Sequence, residues 1–152
     1  MSGFGRRLQQ ATQPNTPKVR LYLSPASGSF ANGNTFNAQI REDSLGTLIN
    51  AVQANLTYPS GLLQVNSVTV NTAVFDQTLQ PYSGTTPGVI QLGVGILSNP
   101  TVSGDQLVAT ISFTVLSAGS ATVAYDTGSL ILRASDSANI LQAEISAHYT
   151  LS

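Results

Sequence analysis

From Val19 onward, apolar and polar residues alternate with a period of two, the pattern of strands that bury one face. Val19, Leu21 and Leu23 alternate in "VRLYLS", and "PASGSFANGN" follows as a long turn signal. Phe36, Ala38 and Ile40 alternate with Asn37, Gln39 and Arg41. Val52, Ala54, Leu56 and Tyr58 alternate with Gln53, Asn55 and Thr57 as far as Pro59. In "LLQVNSVTV", Leu63 and Val65 give way to Val68 and Val70, and this one-residue change of phase predicts a bend or bulge. "DQTLQPYSGTTPG" (76–88) reads as a loop, and "VIQLGVGIL" (89–97) as a nearly continuous apolar strand stopped by Asn99-Pro100. The cleanest alternation runs through Leu107, Ala109, Ile111, Phe113 and Val115. Ala121, Val123 and Tyr125 follow, then Leu130 and Leu132, and Ile145, Ala147, Tyr149 and Leu151 form a last strand.

No segment carries a 3.6-residue period of useful length, and no sequence repeat points to a propeller or solenoid. About nine or ten short strands, each with one apolar face, predict an all-β fold: a two-sheet antiparallel sandwich in which the sheets bury those faces against each other. The sandwich is expected over residues 19–152, preceded by an extended N-terminal arm over 1–18.

Composition refines this picture in two ways. The 152 residues are 41% hydrophobic, enough for a core, yet only 9% are charged, against roughly 25% in a typical soluble domain. Ser, Thr, Asn, Gln and Gly must therefore make the surface, as is common in β-rich proteins that stand outside cells or build particles. Charge is also unevenly placed. Arg6, Arg7 and Lys18 make the arm basic with no acid, whereas the body sets Arg20, Arg41 and Arg133 against all seven acids. Cysteine is absent, which excludes disulfides and thiolate metal sites.

The arm, "MSGFGRRLQQATQPNTPK", has no apolar h-region and so is not expected to be a secretory signal. No apolar run reaches the roughly 18 residues of a membrane span. Its two prolines favour an extended, semi-stiff segment. Phe4, Arg6, Arg7, Leu8 and Lys18 are its candidate partner-binding residues.

Little in the sequence points to catalysis. The only histidine, His148, alternates outward between Ala147 and Tyr149 with no placed nucleophile or carboxylate. No G-x-S-x-G elbow occurs, and "GVGILS" fails the dinucleotide fingerprint because its sixth residue is Ser98. Gly93 and Gly95 share one strand face, which predicts close approach by another backbone or an aromatic ring, with a flat docking surface as the alternative. Asp76, Asp105, Asp126 and Asp136 lie in or beside turns, and calcium is the one ion they bring into question. No calcium-loop motif connects them, so no cofactor or metal is expected. There is no Trp, and only Tyr22 and Tyr82 stand as free aromatics for stacking on a sugar. "NLT" at Asn55 matches a glycosylation acceptor but is read as chance. Four basic residues near the N-terminus make too few phosphate contacts for a specific nucleic-acid reader.

The stretches "VRLYLSPASGSFANGNTFNAQI" (19–40) and "NAVQANLTYPSGLLQVNSV" (50–68) resemble cohesin-like domains. These share a first strand, a "G-x-x-F" lead into the second, and an "L-x-Y-x-x-x-L-x-V" segment, here Leu56, Tyr58, Leu62 or Leu63, and Val65. "SGDQLVATISFTVLSAGSATVAY" (103–125) is similar to the family's later strand and small-residue turn. The resemblance implies a nine-strand jelly roll related to carbohydrate-binding modules, whose best-known members bind dockerin modules through one sheet face. The usual setting of secreted multidomain chains, with a signal segment, calcium repeats or an anchor, is not matched, and no partner-binding residue carries over.

Together these readings predict a non-enzymatic structural or interaction protein. Its concrete form is a component of a virion surface, a phage capsid decoration protein attached through its arm to a protein partner or to copies of itself. The alternative is an extracellular adhesion or carbohydrate-binding module with a glycan as partner.

Overall fold

The computed structural model describes residues 16–152, and these contain twelve strands and no helix. In chain order they are β1 (Arg20–Ser24), β2 (Ser27–Phe30), β3 (Thr35–Asp43), β4 (Ile49–Thr57), β5 (Leu63–Val70), β6 (Gln77–Gln80), β7 (Val89–Gly95), β8 (Asp105–Val115), β9 (Gly119–Tyr125), β10 (Leu130–Arg133), β11 (Ala143–Glu144) and β12 (Ala147–Leu151). One sheet has the order β11-β1-β3-β8-β5. The other runs β2-β12-β9-β4-β7-β6, with β10 also paired to β4. The two close on each other as a sandwich.

The long alternating strands form where their pattern places them. Leu21, Leu23, Phe36, Ala38, Ile40, Val52, Ala54, Leu56, Ile111, Phe113, Val123 and Tyr149 are buried, and the polar residues between them face out. An aromatic cluster fills one region of the core: Phe30 and Phe36 stack at 3.9 Å, and Phe36 lies 5.5 Å from Phe113 and 5.1 Å from Tyr149. The phase change in β5 is a bulge, with the register against β8 shifting between Val65 and Ser67.

Several expectations are corrected. The sheets are mixed, because β1 pairs with β11 and β2 with β12 in parallel. The cause is that the β1–β2 and β11–β12 segments change sheet side by side. After Ser24 the chain leaves the first sheet and re-enters the second as β2; after Glu144 it does the same and becomes β12. "PASGSFANGN" is therefore not all turn. Its Ser27–Phe30 segment is a strand because β12 offers a ladder, and because Gly28 leaves room for a ring. A Cβ there would stand 2.9 Å from Phe30.

The 76–88 loop likewise contains the edge strand β6, all four residues of which are exposed. In β10 the buried residue is Ile131, and the expected Leu130 and Leu132 face the other way. Ile145 lies outside β12 at 40% exposure, since it falls in the crossing between sheets. The count rises from nine or ten to twelve because β2, β6 and β11 are too short or too polar to show a period.

Candidate docking face

The outer face of the seven-stranded sheet takes its shape from β4, β7 and β6. Val52, Ala54, Leu56, Ile90, Leu92 and Val94 point into the core, so the alternate positions face out. Register then lays those positions in rows. Leu132, Ala51, Gly95 and Gln77 form one row; Leu130, Gln53, Gly93 and Gln80 form the next; Asn55 pairs with Gln91, and Thr57 with Val89.

A belt of amide side chains crosses these rows. The Gln53 Nε2 group donates to Asn55 Oδ1 (2.8 Å) and to Gln80 Oε1 (2.7 Å). Gln80 Nε2 donates to Gln91 Oε1 at 3.4 Å, and Asn55 Nδ2 to the Thr127 carbonyl at 3.0 Å. The two glycines make this packing feasible. A Cβ on Gly93 would stand 2.5 Å from Gln53 Oε1, and one on Gly95 would stand 3.1 Å from Leu79 Cδ1. The close approach predicted for Gly93 and Gly95 is thus made by amide and leucine side chains, and no aromatic ring is involved.

The β4-β7-β6 part of this face is also free of charge, while His148 on β12 and Arg133 at the end of β10 lie elsewhere on the same sheet. Between Ser44 and Gly104 the only charged residue is Asp76, so β4, β5, β6 and β7 carry none. Asp76 itself is turned to backbone: it accepts N–H groups from Leu97 (2.7 Å), Ser98 (2.8 Å) and Asn99 (3.2 Å), which hold its carboxyl below the usual carboxylate range. A recess beside the belt, lined by Gln80, Pro81, Tyr82, Val89 and Gln91, measures only about 70 Å³, well short of the roughly 300 Å³ of a small-molecule site.

The opposite face, on the five-stranded sheet, concentrates charge. The Arg20 guanidinium lies 4.2 Å over the Tyr22 ring. The Tyr22 hydroxyl donates to Asp105, and Arg41 donates to Asp105 (3.1 Å), to the Tyr22 hydroxyl (3.3 Å) and to Gln39 (3.0 Å). Burial, then the Asp105 bond, pushes the Tyr22 hydroxyl's pKa up.

The structure disperses the other predicted residues. Phe4, Arg6, Arg7 and Leu8 lie outside the described residues, and Lys18 is exposed just before β1. His148 is exposed, and its Nδ1 meets Thr122 Oγ1 at 3.1 Å, with no carboxylate in its hydrogen bonding. Of the four turn aspartates, Asp105 serves Tyr22 and Arg41, Asp136 pairs with Arg133 at 2.7 Å, Asp76 caps the 97–99 backbone and Asp126 binds the Thr127 amide. Among the described residues no three acidic or imidazole groups converge as metal ligands. Tyr22 and Tyr82 are not free platforms: Arg20 covers the first, and the second is half-buried beside Tyr58.

The model of the cohesin domain family matches residues 22–147 of the chain. The chain belongs to the cohesin domain family. Solved structures agree on the fold. A cohesin from Clostridium acetobutylicum, CaCohA2, superposes with a TM-score of 0.72 at 18% identity, over 89% of this chain and 91% of its own. A non-cellulosomal cohesin from the archaeon Archaeoglobus fulgidus gives 0.71 at 19% identity, over 90% and 92%. The sixth cohesin of Acetivibrio cellulolyticus scaffoldin B, in complex with a mutant Cel5 dockerin, gives 0.70 at 15% identity, over 90% and 100%. No curated protein sequence matches the chain. Cohesin domains are non-catalytic protein–protein interaction modules, so a non-enzymatic interaction module is the function that membership carries.

Proposed function

We propose that this cohesin domain recognises a protein partner through the outer face of its seven-stranded sheet, with dockerin-class modules as the first partners to test. The observation that carries the reading is the belt Gln91–Gln80–Gln53–Asn55, laid over the small residues Ala51, Gly93 and Gly95 on strands without charge. Such a surface presents amide donors and acceptors beside an apolar strip formed by Leu79, Leu130 and Leu132, the mixture that interface centres use. Cohesin relatives are found in complex with dockerins, which makes that class the natural probe. The glycan alternative draws less support, since Tyr22 lies under Arg20 and Tyr82 is half-buried beside Tyr58.

The test is surface plasmon resonance of the full chain against a panel of dockerin modules, alongside Gly93→Arg, Arg41→Ala and a deletion of residues 1–18. Gly93→Arg is expected to weaken binding at least about 100-fold, the effect of burying an unpaired charge at an interface, while Arg41→Ala leaves it unchanged. With no charge on the β4-β7-β6 strip, affinity is expected to change less than about threefold between 50 and 500 mM salt. Unchanged binding by Gly93→Arg would overturn the assignment of the face. Binding or assembly lost only in the deletion would instead support attachment through the arm, as expected of a virion-surface component.

A further inference from the structure

Period-two alternation in β3 points Phe36, Ala38 and Ile40 into the core, and the next inward position is Glu42. Its side chain has no exposed surface, and neither carboxyl oxygen has a hydrogen-bond partner. Its cross-strand neighbours are Leu21 on β1 and Gln106 on β8. A buried polar group without a partner is costly, and a buried charge far more so. The residue nevertheless sits at the end of a nine-residue strand whose register leaves it no other direction.

Immediately beyond Glu42 the chain makes the turn that closes this end of the sandwich. Ser44, fully buried, donates its amide to the Gly104 carbonyl (3.1 Å) and accepts the Gly104 amide on Oγ (3.1 Å), while Oγ donates to the Thr47 carbonyl (2.8 Å). Ile49 and Val102 exchange backbone bonds at 2.8 and 3.4 Å. Leu45 is held at φ 59°, a left-handed conformation that an ordinary side chain adopts only under constraint. At the start of β4, Asn50 Oδ1 is a second buried acceptor without a donor. This end of the fold therefore has buried acceptors from both sheets without a hydrogen-bond partner, and a neutral carboxyl group brings a donor that a carboxylate does not.

We propose that Glu42 is a proton-operated latch: as the neutral acid it lets the β3–β4 turn seat on segment 102–104, and as the carboxylate it releases that end of the sandwich. The surrounding charges favour the neutral form. Asp43 on the same strand and Asp105 on β8 oppose ionisation, while Arg41 and the nearby Ser44 backbone N–H favour it to a lesser extent. Arg20 and Tyr22 on β1 face outward, Arg133 on β10 is committed to Asp136, and Glu144, paired with Leu21 in the same row as Glu42, is an exposed carboxylate at the β11 edge that adds no favourable charge. Segments 44–49 and 102–104 contain no titratable side chain. Burial first, then the two aspartates, pushes the Glu42 carboxyl up to about 8.

The test follows the carboxyl carbons by NMR in the full chain and, in parallel, hydrogen exchange of amides 44–49 and 102–104, corrected for intrinsic rates. Glu42 is expected to titrate near pH 8. Because the opening equilibrium gains tenfold per pH unit between the open and closed midpoints, protection of those amides should fall about 100-fold from pH 6 to pH 9. In Glu42→Gln it should not fall, and Glu42→Met serves the same purpose if the amide variant folds poorly. A Glu42 midpoint below pH 6, or equal loss of protection in a variant, would overturn the proposal.

Discussion

Tyr149 offers a direct measure of how the sandwich is closed at its seam. It lies on β12, between β9 on one side and β2 on the other. The ring is almost fully buried, edge-on to Phe30 at 5.7 Å and to Phe36 at 5.1 Å. Its hydroxyl donates to the Pro25 carbonyl at 2.7 Å, tying β12 to the point at which the chain changes sheet. Burial pushes this hydroxyl's pKa up to about 12, so it remains a donor at any ordinary pH. Tyr149→Phe removes the hydrogen bond alone. Pro25 is exposed, so water can satisfy its carbonyl, and the cost should stay near the usual net value of about 1 kcal/mol. Tyr149→Leu also removes two edge-to-face contacts and leaves a void, which raises the cost to about 3–4 kcal/mol. At about 3 °C per kcal/mol for a chain of this length, Tm should drop about 3 °C for Phe and about 10 °C for Leu. Urea denaturation with matched m-values is the assay. If the Phe variant costs as much as the Leu variant, the ring packing is not what holds the seam; if Phe costs nothing, the Pro25 bond contributes nothing.

Three further outcomes follow from the same geometry. Glu42 has a folded pKa raised from 4.5 to about 8, so its contribution is complete below pH 4.5 and is lost as pH rises toward 8. At about 1.4 kcal/mol per pH unit, denaturation should report about 3–5 kcal/mol less stability at pH 9 than at pH 5, and Glu42→Gln should flatten that slope. Ile131→Ala should cost about 2–4 kcal/mol because the residue is fully buried, while Leu132→Ala, on the outer face, should cost less than about 1 kcal/mol by the same urea assay. Asp136, whose carboxyl the Arg133 guanidinium holds down to about 2, has a contribution present above pH 3.8 and lost as pH falls toward 2; NMR titration of Arg133→Gln should return its midpoint toward 3.8.

The strands that alternate over five or more positions were legible because one physical requirement, a buried face, acts on every second residue. β3, β4, β8 and β9 all carry it, β7 was legible as an apolar run, and even the bulge in β5 is written as a slip of phase between Val65 and Val68. What escaped is held by partners instead of by its own pattern. β2 and β11 exist because β12 and β1 lie alongside them. β6 exists because β7 has a free edge. In β10, Leu130, Ile131 and Leu132 are all apolar. The sequence there fits either phase, and pairing with β4 decides that Ile131 goes inside.

The site was legible in its materials and not in its arrangement. Scarce charge announced an uncharged polar surface, and the paired Gly93 and Gly95 a close approach, with a flat docking surface only as the alternative; neither says which residues lie beside the glycines. Gln53, Gln80 and Gln91 stand 27 and 11 positions apart in the chain, and only the β4-β7-β6 register brings them into one hydrogen-bonded belt. The basic arm drew attention for the opposite reason, because its charge is visible without any fold. Glu42 falls between these cases. Its inward position could be counted off from Phe36, Ala38 and Ile40, but an acidic residue near a strand end is ordinarily taken as solvated. Its meaning depends on the closure made by Ser44, Gly104, Ile49 and Val102. Alternation is thus kept at a cost at two glycines on an outer face that would accept larger side chains only by displacing Gln53 and Leu79, and at one carboxyl group inside a core that accepts it only as the acid.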